Sequence, residues 1–168
     1  MKNTIKERLT SLIKEELNKK NTQVISAFPG CGKSFIFKNN KDKNKIILDS
    51  DSSDFSWIKK GERNPNFPNN YIQHIKENIG KADIIFVSSH KDVRNSLVDN
   101  NIKFTLVYPD ESLKDEYIKR YIQRNNEDTF IELLKKMWET WMEELNEQTG
   151  CKKIILKSGQ FLKDVINF

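Results

Sequence analysis

Cysteine is scarce in this chain of 168 residues, which holds two, Cys31 and Cys151. They share no metal-like spacing, which sets aside a cysteine-held metal site. Long apolar runs are missing too. Nothing approaches the ~18 residues of a membrane-spanning helix, so no membrane partner is expected. The first residues pattern as a charged amphipathic helix instead of a signal peptide, and the expected location is cytoplasmic. Glycine and proline number only 6 and 4, and no linker, repeat or low-complexity stretch divides the chain. One domain over 1–168 is the expectation, a length that suits an α/β fold. Charge of one sign is in short supply as well: 29 Lys and Arg against 24 Asp and Glu leave +5. That balance suits an anionic substrate. Lys, Asn and Ile dominate, as in products of AT-rich genomes, and most lysines read as solvated surface. No basic strip interleaved with aromatics stands out, so nucleic acid is not the expected partner. Oligomeric state is not legible.

What is present is alternation. Thr4 to Glu7 spells a Thr-x-x-Glu capping box, and Ile5, Leu9, Leu12, Ile13 and Leu17 share one helical face. This extra helix, within 1–21, is expected to dock its stripe on the core. Residues 24–28 read as a buried strand, 33–39 as a helix and 46–48 as a second strand closed by Asp49. From about 50 to 68 no period holds, and Gly61, Pro65 and Pro68 mark an irregular insert. A helix over 69–78 follows, then a strand over 83–88. The continuous apolar run 84–87 in that strand is typical of burial on both faces in a parallel sheet. A helix over 91–98, a strand over 102–108 and a helix over 112–124 come next. A second Thr-x-x-Glu box, at 129–132, opens a helix striped with Phe130, Leu134, Met137, Trp138, Trp141 and Leu145, read as core. A fifth strand over 152–156 and a helix over 160–167 end the chain. Strands alternating with helices predict an α/β fold of three layers: a five-stranded parallel sheet covered by helices on both faces.

Residues 27–34 read Ala-Phe-Pro-Gly-Cys-Gly-Lys-Ser. The P-loop pattern is G-x-x-x-x-G-K-[ST], and Ala27 stands where its first glycine sits. Gly30 and Gly32 let the backbone wrap an anion with its N–H groups turned inward. Lys33 can reach the β- and γ-phosphates, and the Ser34 hydroxyl can ligate magnesium. An apolar strand before the loop and a helix after it supply the required context. Phe28, Pro29, Gly30, Cys31, Gly32, Lys33, Ser34 and Phe35 are the expected cofactor-binding set, for ATP with Mg2+. A disulfide at Cys31 would obstruct the ligand, which fits a reducing compartment.

The Pro-Gly-x-Gly-Lys form at 29–33, with the length and five-strand layout, resembles the small P-loop kinases: nucleoside monophosphate kinases and their shikimate- and gluconate-kinase relatives. The resemblance covers about 22–168 and is similar in flavour to phage-encoded or low-GC bacterial nucleotide kinases. Asp49 and Asp51 lie where the second strand ends, outside which ligands gather in open α/β sheets. A carboxylate there can hold magnesium or take a proton from an acceptor hydroxyl. By resemblance to shikimate kinase, Asp49 serves the metal and Asp51 the acceptor; the residues alone leave open which is the metal ligand, and both could instead cap a turn. The third strand ends Ser88-Ser89-His90, without the usual second carboxylate. The insert over about 50–68 falls where monophosphate kinases close on the acceptor. Its Trp57 could stack on a base and its Arg63 could grip a phosphate. Arg94 is the nearest match to their phosphate-binding arginine. Arg120 and Arg124, four apart on one helical face within about 110–126, resemble a short lid; they could instead form a solvated basic face pairing with Asp115, Glu116 or Glu127. Lys33, Asp51, Arg120 and Arg124 are thus the expected catalytic set, Asp51, Trp57, Arg63 and Arg94 the acceptor set, and Ser34 and Asp49 the metal ligands.

The resemblance implies ATP- and Mg-dependent phosphoryl transfer to a small acceptor, most simply a (deoxy)nucleoside monophosphate. Two alternatives stand beside it: a nucleotide-binding module or regulatory ATPase without kinase activity, and a kinase of nucleic-acid 5′ ends. No Asn-Lys-x-Asp follows any later strand, which argues against a GTPase.

Overall fold

The computed structural model describes residues 2–17 and 20–167. Five parallel strands form the sheet: β1 (Gln23–Ala27), β2 (Ile47–Asp49), β5 (Ile84–Val87), β6 (Thr105–Pro109) and β7 (Lys152–Leu156), in the order β2-β5-β1-β6-β7. β1 is central, and every residue of it after Gln23 is buried; Ile25 pairs with Phe86 on one side and Thr105 on the other. β5 (Ile-Ile-Phe-Val) is buried throughout, as its unbroken apolar run predicts.

The chain steps one way from β1 to β2, and the other way through β5, β6 and β7. Right-handed crossovers therefore put α2 (Lys33–Lys38) on one face, and α4 (Asn69–Asn78), α5 (Lys91–Asp99) and α7 (Asp128–Glu147) on the other. α8 (Leu162–Val165) packs against α2, and α6 (Lys114–Gln123) against α7. On α7, Ile131, Leu134, Trp138, Met142 and Leu145 are buried at helical spacing, and the Trp138 indole donates to the Glu111 carbonyl at 2.8 Å. Among the described residues no helix is long and apolar enough to cross a membrane.

Several expectations need correction. α1 (Lys2–Leu17) starts before Thr4, so Thr4 lies inside the helix and cannot cap it. α7 likewise starts at Asp128, which puts Thr129 in its first turn; Glu127 flanks it without a side-chain cap. The α1 stripe does not dock: Ile5, Leu9, Leu12 and Ile13 are all more than half exposed. Both sheet faces are already occupied by other helices. The side chain of Leu17, last in that stripe, lies outside the described residues. The insert is not irregular. It holds a helical turn, α3 (Ser53–Ser56), and a hairpin of β3 (Trp57–Lys59) with β4 (Glu62–Arg63), turning at Lys60-Gly61. The last helix is one turn, α8, and not the longer one expected.

Candidate functional site

The carboxyl end of β1 runs into the Gly-rich loop, between the ends of β5 and β6. Each loop residue has a local reason to be where it is. Phe28 is buried, with its ring edge-on to Tyr117, Trp138 and Trp141, and its N–H donates to the Val107 carbonyl at 2.9 Å. The loop is thereby pinned to the core at its entry. Gly30 and Gly32 take φ of 84° and 102°, backbone that L side chains resist. All eight residues from Phe28 to Phe35 line a cavity of about 600 Å³, together with Arg120, Tyr121, Arg124, Phe130, Phe161 and Lys163.

Lys33 folds back over the loop and its Nζ donates to the Ala27 carbonyl at 2.7 Å. Burial holds its pKa below the usual lysine range, while Cys31, Asp49 and Asp51 pull it back up. The Cys31 thiol beneath the loop is fully buried, 3.5 Å from the Tyr117 hydroxyl, and burial pushes its pKa up to about 11. It is a packing group and not a nucleophile.

The acidic pair lies where the sequence placed it, at the end of β2. Ser34 Oγ donates to Asp49 Oδ2 at 3.2 Å, across the gap between the first turn of α2 and β2. Asp51 accepts from the Ser53 N–H at 2.9 Å and so also shapes the turn into α3. Lys33, Ser34, Asp49 and Asp51 are thus brought together. A hydroxyl and a carboxylate meeting this closely are hard oxygen donors, a set suited to Mg2+, which takes one or two protein ligands and completes its shell with phosphate and water. Among the described residues no cluster of three or more His, Cys, Asp or Glu exists to cage a metal alone.

Trp57 and Arg63 face each other across the hairpin, the guanidinium 4.7 Å from the indole centroid. Both are exposed. Arg63 is close enough to act on His90, whose pKa is held below normal by partial desolvation first and then by the positive charges of Arg63 and Lys33. Arg63 and Lys33 thus both bear on His90, after β5. His90 flanks α5 without capping it through its side chain.

Arg94 does not join this group. It is 2% exposed, and the charges acting on it are Glu144 on α7, Cys151 before β7 and Tyr108 on β6. Its Nε and Nη1 have no hydrogen-bond partner. A position under α5 against α7 does not fit an arginine reaching for an acceptor at the mouth of the cavity.

Arg120 and Arg124 have separate surroundings despite their i,i+4 spacing. Arg120 bonds Glu116 at 2.6 Å, the Gly30 carbonyl at 3.2 Å and the Gln160 carbonyl at 3.3 Å. Its guanidinium also stacks on the Tyr117 and Phe161 rings, at 4.5 and 4.0 Å. It is a tie between α6, the Gly-rich loop and the β7–α8 connection. Arg124 is exposed on the cavity wall and makes no ion pair among the described residues; its charge reaches Lys33.

Pattern reading missed several residues. The Tyr71 hydroxyl donates to the Ser50 carbonyl at 2.7 Å and accepts from the Ser88 N–H at 3.2 Å, tying the ends of β2 and β5 beside Asp49 and Asp51. Burial drives its pKa up. His74 Nε2 meets Ser50 Oγ at 3.0 Å. Glu116 accepts from Arg120, Ser158 Oγ and the Gly159 N–H, and the Gly159 bond foremost holds its pKa low. Leu162 N–H donates to the Cys31 carbonyl at 2.9 Å, which brings Phe161 onto the loop. These residues come from distant segments and carry no motif; the one sequence clue was that Glu116 precedes Arg120 by one helical turn.

No protein-family model matches the sequence, and no curated protein matches it. Among solved structures the chain is similar to the YorR protein of Bacillus subtilis, crystallised in complex with phosphorylated GDP. The match has a TM-score of 0.52 at 16% identity and covers 85% of this chain and 89% of that one. At that identity it shows a shared α/β fold.

Proposed function

We propose that this chain is a P-loop phosphotransferase that moves the γ-phosphoryl group of ATP to a small acceptor, a (deoxy)nucleoside monophosphate. The observation that carries this reading is the meeting of Lys33 and Ser34 of the Gly-rich loop with Asp49 and Asp51 at the carboxyl end of the sheet. The YorR protein, bound to phosphorylated GDP, is a nucleotide complex on a similar fold and supports a nucleotide ligand here.

In this reading the loop N–H groups and Lys33 hold the β- and γ-phosphates once Lys33 releases the Ala27 carbonyl. Ser34 and Asp49 would hold Mg2+, which would supply charge neutralisation for those phosphates. Asp51 and the hairpin residues Trp57 and Arg63, in an acceptor segment over about 50–68, hold the acceptor against the loop. Arg124, in a short lid over about 110–126, offsets charge developing on the transferred group. Arg120 positions that lid on the loop, and Arg94 has no part in the acceptor site.

A nucleotide-binding module without transfer is the second reading. It is favoured by one observation: β5 runs out at Ser88 and Ser89 with no carboxylate at its end. Incubating the protein with Mg-ATP and each nucleoside and deoxynucleoside monophosphate, and separating products by chromatography, decides between them. Diphosphate formed from at least one monophosphate, reduced at least about 100-fold in Lys33→Ala, is the expected result. ATP binding with no transfer to any acceptor overturns the kinase reading.

A further inference from the structure

A nucleotide base needs a flat, accessible surface to stack on, and the cavity over the loop offers few. Arg120 is already committed: its Nη atoms bond Glu116 and two carbonyls, and its guanidinium stacks on Tyr117 and Phe161. Phe161 is committed on another side as well, since a Cβ on Gly32 would lie 3.5 Å from its ring. Tyr121 is buried, edge-on to Phe130 at 5.1 Å. Phe35 is different. It lies on the first turn of α2, one residue after Ser34, lines the same cavity, and is 58% exposed. Lys163 Nζ lies 6.0 Å from its ring centroid. A lone exposed phenylalanine says nothing by itself. One on the wall of a cavity of ligand size, next to Ser34, is placed for a ligand.

We propose that Phe35 is the stacking platform for the base of the bound nucleoside triphosphate, with the edge of Phe161 and the Lys163 side chain beside it. The inference rests on the nucleotide site proposed above. Arg120 is then a positioning residue and not the base-stacking group. Every base has a π-face, so the platform holds ATP and GTP alike.

Calorimetric titration of wild type, Phe35→Ala and Phe35→Trp with ATP, GTP and inorganic tripolyphosphate, all with Mg2+, tests this. Tripolyphosphate carries the phosphates without a base. Phe35→Ala is expected to weaken ATP and GTP roughly 5- to 100-fold and tripolyphosphate less than about 2-fold, with Phe35→Trp restoring both nucleotides. Unchanged nucleotide affinity in Phe35→Ala overturns the platform while leaving the nucleotide site standing. Equal loss of tripolyphosphate also overturns it, because the side chain would then support the loop. A wild type that binds none of the three overturns the nucleotide site itself, and the platform with it.

Discussion

At Gly30 the loop runs close against Tyr117 and Tyr121 of α6. Its φ is 84°, and a Cβ there would lie 3.0 Å from Tyr121 Oη, 3.3 Å from Tyr121 Cζ and 3.4 Å from Tyr117 Cδ1. For Gly30→Ala the left-handed backbone costs about 1–2 kcal/mol. Crowding against a packed tyrosine adds about 1–3 kcal/mol. The expected loss is therefore roughly 2–5 kcal/mol of folding stability. Tyr121 offers a way to separate the two contributions. Its hydroxyl is buried with no partner. Tyr121→Phe removes an oxygen that gains nothing where it sits, and is expected to be neutral or stabilising by up to about 1 kcal/mol. In the double variant the 3.0 Å contact disappears while the backbone cost and the Cζ contact stay. The double variant should recover about 1 kcal/mol relative to the sum of the singles. Urea unfolding of all four proteins, with the slope compared across them, reads this directly. Additive singles would show that Oη is not the group Gly30 makes room for. A Tyr121→Phe loss above about 1 kcal/mol would show that the hydroxyl has a partner, and the reasoning fails.

Two further outcomes follow from ionisable groups around the same loop. Burial raises the Cys31 thiol from 9.0 to about 11. The folded state then holds the proton more tightly, so its stability contribution is intact below pH 9 and is lost between pH 9 and 11, by about 2 kcal/mol in the wild type relative to Cys31→Ala. Matching unfolding profiles for the two proteins across that window would refute it, and thiol-reactive dyes should label Cys151 well before Cys31. Glu116→Gln keeps the shape but leaves an amide facing donors from Arg120, Ser158 and Gly159. An expected loss of about 1–3 kcal/mol, with a flatter acid limb because the wild-type carboxylate loses its stabilisation as pH falls through its depressed pKa, is checked by urea unfolding from pH 3 to 7.

The sheet was legible because its signals are local. The apolar run 84–87, the stretch 23–27 before the loop and the stripe on α7 each declare a period within a few residues. The loop was legible because glycine, lysine and serine at fixed spacing have a mechanical reason to sit together. The hairpin was not, since its strands span three and two residues, too short for alternation to show, and Lys60-Gly61 is the one turn signal. The two Thr-x-x-Glu boxes misled because the preceding residues are themselves compatible with helix, so each helix begins upstream and moves the threonine inside. The α1 stripe has helical period but no vacant face to meet; periodicity says which side of a helix is apolar, not whether the rest of the chain leaves room for it.

Arg120 and Arg124 show the same limit at the level of chemistry. On the helix they are equivalent, one turn apart on one face, and sequence assigns them one job. Their difference comes from residues forty and ninety positions away: the Gln160 and Gly30 carbonyls accept from Arg120 and not from Arg124. An arginine with its fork bonded and its plane stacked would have to give up about three hydrogen bonds to grip a phosphate, at about 1–3 kcal/mol each for charged donors. Arg124, exposed on the cavity wall with its charge already reaching Lys33, gives up only hydration. The asymmetry assigns Arg120 to holding α6 on the loop and leaves Arg124 as the exposed arginine on the cavity wall, the one the proposed phosphotransferase reading would use.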